Sequence, residues 1–131
     1  MKLINRIYVI GGDLAGVSTA TVLKRSFPWK DIRILKGRTI PRIGITERVD
    51  KPLVPDCNFT EDADYHVDAL KFANWIEQKV FIPMGGRIIR DDIAKVNQNE
   101  DGSIKSLSVK TGNEIKADLY IDCKENILGY L

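Results

Sequence analysis

Hydrophobic residues fall along this chain in short runs whose spacing changes from element to element. Residues 6–10, "RIYVI", are short, β-branched and apolar and end at Gly11 and Gly12, the pattern of an interior parallel strand. Over residues 14–27, Leu14, Val17, Thr21 and Leu23 recur at roughly helical spacing, and Pro28 closes the run. "DIRIL" at 31–35 reads as a second strand. Strand, glycine turn, helix and strand within some thirty residues make a βαβ unit with a right-handed crossover.

Residues 37–63 carry three of the five prolines and no sustained period, so they are expected to be an extended connection. A second helix is predicted over 64–80, where Val67, Leu70, Ala73, Ile76 and Val80 recur every three or four residues and would pack one face on the sheet. After Pro83 the pattern shortens again. Ile88, Ile93 and Val96, then Ile104, Leu107 and Val109, then Ile115, are separated by Asp-Gly and Gly-Asn turns and predict an antiparallel meander. "DLYID" at 118–122 suits a strand returning beside the first.

Length makes 1–131 a single domain, short for an enzyme with separate cofactor and substrate lobes. With 44% hydrophobic and 29% charged residues it reads as a globular chain, and a net charge of +2 without clustering argues against nucleic acid as a partner. No apolar run approaches the roughly 18 residues of a membrane helix, no membrane contact is expected, and the N-terminal run leads into a strand instead of a signal sequence. Cytoplasmic location is the expectation. Cys57 and Cys123 stand far apart in sequence, with no paired-cysteine motif, and His66 is the only histidine, so no metal site is expected.

The candidate chemistry lies in the glycine turn. A dinucleotide turn wants G-x-G-x-x-G, for a tight turn, a close backbone approach to pyrophosphate, and helix packing on strand. Here the frame is Gly11, Gly12, Asp13, Leu14, Ala15, Gly16, so the second glycine is Asp13. A carboxylate about 5 Å from a pyrophosphate charge at an effective dielectric near 20 is repelled by roughly 3 kcal/mol, on the order of a hundredfold in affinity. About 20 residues beyond the motif, where an acidic residue would accept from a ribose hydroxyl, stands Lys36, which has only donors. Lys36, Arg38 and Arg42 could instead hold an anionic nucleotide, or be solvated loop charges.

Other chemistry reads as structural. A Ser, His66, Asp68 triad lacks a nucleophile elbow. Asp91 and Asp92 read as a solvated face, Cys123 as a small hydrophobe, and Phe27, Trp29, Phe59 and Trp75 as core or cover residues.

Four stretches in order, "VIGGDLAG", "SFPWKDIRILKGRTIPRIGITE", "DADYHVDALKFANWIEQKV" and "DGSIKSLSVKTGNEIKADLYIDC", resemble the flavin-dependent tryptophan halogenases. "TIPRIG" followed by Glu47, and "YHVD", are the specific parts. The resemblance implies an α/β fold, the Rossmann-like FAD-binding core with a parallel sheet, flanking helices and a small antiparallel meander. It also exposes departures. The family's glycine falls on Asp13, its following tryptophan on Val17, and its acidic ribose partner on Lys36; Lys124, Glu125 and Asn126 replace a small flavin-facing turn. The long segment bearing the family's catalytic lysine is reduced to 48–64, and Lys51 lies too close to Glu47 to match it. The two-tryptophan motif and the substrate region are expected to be missing.

These features predict a non-catalytic, halogenase-derived domain without a cofactor, acting through a protein partner or as a homo-oligomer, of the kind an accessory or viral gene would carry. The remnant site comprises Gly11, Gly12, Asp13, Ala15, Gly16, Lys36 and Arg42. Two alternatives stand beside it: a minimal FAD-binding oxidoreductase or half of a split flavoenzyme, and a module binding an anionic nucleotide through Lys36, Arg38 and Arg42.

Overall fold

The computed structural model describes residues 3–38 and 68–124. Strands β1 (Arg6–Ile10), β2 (Asp31–Lys36), β3 (Arg87–Arg90) and β7 (Leu119–Asp122) form a parallel sheet in the order β3-β2-β1-β7. Strands β4 (Ile93–Gln98), β5 (Ile104–Val109) and β6 (Glu114–Ile115) form a separate antiparallel sheet. Helix α1 spans Leu14–Ser26, and α2 spans Ala69–Ile76 and continues as a π-helical segment, Glu77–Phe81.

Alternation along β1 and β2 divides the core in two. Ile7, Val9, Ile32 and Ile34 face Val17 and Ala20 of α1, Ala73 of α2 and Phe81. Tyr8, Ile10 and Leu35, on the opposite face, meet Ile93, Val96, Leu107, Val109 and Ile115 of the meander. A strand covered on both sides must be apolar at every position, which is why "RIYVI" shows no polar alternation. Successive β1 and β2 residues pair directly, Ile7 with Ile32 through Ile10 with Leu35, and β7 flanks β1 on its other side.

Two expectations need correction. Ile88 belongs to the parallel sheet and not to the meander: β3 pairs with β2 in the register Ile34 to Ile88 and Leu35 to Ile89. The chain changes sheets at Asp91 and Asp92, where the Asp91 amide donates to the Lys36 carbonyl and the Lys110 amide to the Asp92 carbonyl. A four-residue strand with two central isoleucines fits either sheet, so its pairing was not written in the spacing. Asp91 is also buried rather than solvated: it accepts from the Thr111 hydroxyl and the Asp92 amide. Those two donors, the hydroxyl foremost, and the nearby Arg38 charge hold its carboxyl below the usual carboxylate range.

The second helix differs in detail as well. Its inward residues are Ala69, Ala73, Glu77 and Phe81, a four-residue spacing that the wider π-helical turn carries to Phe81. Ala73 joins the core beneath β1 and β2, and α2 packs mainly along α1. Trp29 and Trp75, expected as core or cover, are 72% and 57% exposed. Residues 64–67 of the predicted helix, with His66, and Cys57, Phe59, Glu125 and Asn126, lie outside the described residues. Among those described, no helix is long and apolar enough to cross a membrane.

Candidate functional site

Parallel sheets bind ligands in the crevice beyond the carboxyl ends of their strands, because helix N-termini and loops converge there. In this chain that edge carries Gly11 and Gly12 after β1, Lys36 at the end of β2, Arg90 at the end of β3 and Cys123 after β7.

The frame of a tight turn is intact. Gly11 has φ +118°, which a side chain would strain, and its amide donates to the Leu35 carbonyl at 2.9 Å. Chain following β7 passes close by, since a methyl on Gly11 would lie 3.3 Å from the carbonyl carbon of Cys123. Gly16 is the packing glycine: a methyl there would stand 1.9 Å from the Gly11 carbonyl oxygen. Ala15 is exposed on the first turn of α1.

The two altered positions are both engaged by the protein itself. Asp13 is the N-cap of α1, and its Oδ1 accepts from the Gly16 amide at 3.1 Å. A helix N-terminus attracts anions because its first amides lack partners and its dipole is positive there. Asp13 supplies that anion from within. Lys36 crosses the turn: a methyl on Gly12 would meet its Cγ at 2.3 Å, its Cδ at 2.6 Å and its Cβ at 2.9 Å. The space that Gly12 leaves open is filled by a lysine stem.

Beyond that stem the ammonium meets a residue that the sequence did not single out. Glu77 has no exposed surface, and its Oε1 lies 3.4 Å from Lys36 Nζ. Its Oε2 accepts from Gln78 Nε2 at 2.9 Å and from Arg90 Nη2 at 3.5 Å. A buried carboxylate requires such partners. One signal of its burial existed: Glu77 stands four residues after Ala73 and four before Phe81, on a common inward line. Helical periodicity alone reads a charged residue there as solvated.

Of the predicted remnant site, Gly11, Gly12, Asp13, Gly16 and Lys36 converge, with Ala15 alongside. Arg38 donates its backbone amide to Asp92 Oδ1 at 3.2 Å. Arg42 lies outside the described residues. Among the described residues, no three of His, Cys, Asp and Glu come together to hold a metal ion.

The family model for tryptophan halogenases matches residues 60–126, just over half of the chain. The chain belongs to the tryptophan halogenase family. Solved structures bear out its fold. MibH, a tryptophan 5-halogenase, superimposes with a TM-score of 0.73 at 16% identity, over 92% of this chain and 39% of its own. The tryptophan halogenase from Shewanella frigidimarina gives 0.69 at 16% identity, over 94% and 43%. BrvH, a flavin-dependent halogenase from Brevundimonas sp. BAL3, gives 0.67 at 19% identity, over 92% and 42%. This halogenase-family chain thus spans about two fifths of the length of the solved structures it matches.

Proposed function

We propose that this chain is a halogenase-derived Rossmann-like domain that performs no halogenation and acts in the cytoplasm by binding another polypeptide, a partner or a second copy of itself. Such a domain would suit an accessory or viral gene product. What supports this reading is the occupation of the nucleotide crevice by Asp13 and the Lys36 stem. A flavin dinucleotide, the kind of cofactor that flavin-dependent relatives use, needs the open Gly12 surface, a free helix N-terminus for its pyrophosphate, and an acceptor for its ribose hydroxyls. Here the first is covered, the second is capped from within, and at the third stands a donor. The residues present do not fit that group.

Partner binding draws support from the surface. Trp29 and Phe27 stack edge to face at the end of α1, and Phe72 and Trp75 stand three residues apart on the outer side of α2, all exposed. Exposed aromatic groups of this kind commonly mark contacts with other chains.

Spectroscopy and calorimetry on the purified chain test the reading. The expected preparation is colourless, and titration with FAD gives no heat at micromolar concentrations, while light scattering or co-purification reveals an assembly. A yellow preparation, or micromolar FAD binding, would sink it. That outcome would favour the rival, half of a flavoenzyme completed by a second chain, for which the preserved geometry of Gly11 and Gly16 speaks. The anionic-nucleotide alternative has less support, because the Lys36 ammonium is already paired with the buried Glu77.

A further inference from the structure

We propose that Glu77 is the positioning residue that locks Lys36 across the crevice, so that nucleotide exclusion is a property of the Lys36–Glu77 pair and not of Lys36 alone. The inference rests on the reading that the crevice is closed, and adds what closes it.

A lysine stem is flexible, and one lying over a glycine turn would ordinarily swing into solvent when a ligand arrived. Lys36 is not free to do so. Its side chain is 22% exposed, and its ammonium is the nearest cation to a carboxylate with no exposed surface. Moving Lys36 away would leave Glu77 with Gln78 and with Arg90, whose side chain is 55% exposed and reaches it at 3.5 Å. A buried carboxylate stripped of its closest counter-charge is strongly disfavoured, so the closed position is held from beneath.

Glu77 owes its place to the helix that carries it. Where α2 gives way to the π-helical turn, Ala73, Glu77 and Phe81 all face inward, and this brings the carboxylate under the ends of β2 and β3. Simple reversal of Lys36 to an acidic residue therefore cannot recreate a ribose acceptor. It would set a second carboxylate beside the buried Glu77, and the two like charges would repel and drive the new side chain off its position. Opening the site requires neutralising Glu77 at the same time.

Two measurements on the full chain test this. In the first, lysine acylation is followed by mass spectrometry, with the exposed Lys95 and Lys105 as internal references. Glu77→Gln is expected to raise the labelling rate of Lys36 severalfold relative to those references; an unchanged rate overturns the proposal. In the second, FAD is titrated by calorimetry into chains that carry Asp13→Gly. Lys36→Glu alone is expected to leave affinity nearly unchanged, whereas Lys36→Glu with Glu77→Gln gains on the order of tenfold or more, the scale at which removal of one like charge acts. Equal affinities in the two backgrounds overturn it. Should Glu77→Gln not fold, Glu77→Leu takes its place, since the cations it releases, Lys36 and Arg90, are both partly exposed and can turn to solvent. Tight FAD binding by the unaltered chain would refute the closed-crevice reading, whereas the labelling result tests the lock by itself.

Discussion

Replacing Lys36 by Met isolates the energetic role of the lysine over Gly12. Methionine keeps an unbranched stem of similar length, so cover over the turn is retained while the charge is removed. At 3.4 Å and an effective dielectric near 20, the attraction between Lys36 and Glu77 is about 5 kcal/mol before desolvation. Breaking a buried pair from one side costs about 3–5 kcal/mol in net terms. Gln78 and Arg90 remain, and they reduce the expected loss to roughly 2–3 kcal/mol, or about 10 °C in Tm for a chain of this size. Arg90→Met is the control: the Arg90 side chain is 55% exposed against 22% for Lys36, so solvent screens its charge and its loss should cost under about 1 kcal/mol. Urea unfolding followed by circular dichroism reads both. If Lys36→Met costs no more than Arg90→Met, Glu77 does not depend on Lys36 and the reasoning fails.

Two further predictions concern the frame. Gly16→Ala puts a methyl 1.9 Å from the Gly11 backbone oxygen, which cannot yield as a side chain would; the expected cost is about 3 kcal/mol or more, read as a lowered Tm, and an unchanged Tm would mean the turn is looser than described. Asp31 is bridged by Arg33 at 2.9 Å and Arg6 at 3.0 Å, and the hydrogen bond from Arg33, then that from Arg6, hold its carboxyl below the ordinary range. Because the folded-state value is lowered, the stability it supplies is present above about pH 4 and is lost as pH falls through that lowered value. Asp31→Asn should therefore flatten acid unfolding below about pH 4, and an unchanged pH profile would show that the bridge contributes nothing.

Much of the fold was legible because it depends on local rules. β1, α1 and β2 fall where the apolar runs, the glycine turn and Pro28 put them, and Gly11 and Gly16 mark the two points where backbone approaches backbone. The meander turns were equally plain, since Gly102 and Gly112 adopt the positive φ that Asp-Gly and Gly-Asn signals foretell. Strand β3 was misplaced because "RIIR" satisfies either sheet, and only the corner at Asp91 and Asp92 selects one. Trp29 and Trp75 were misjudged because hydrophobicity gives a residue's preference for burial and not whether neighbouring chain is there to bury it.

Within the site the sequence determined which residues fill the frame of the glycine turn, and that an aspartate, Asp13, and a lysine, Lys36, stand at two of its positions. Those facts follow from the spacing of one motif on one βαβ unit. What those side chains do was decided by tertiary structure. Asp13 turns its carboxylate back on the Gly16 amide, and Lys36 lies over Gly12 because Glu77, forty-one positions later, waits beneath it. A buried ion pair between distant elements has no local signature; it exists only once the strand and the π-helical turn have been packed together.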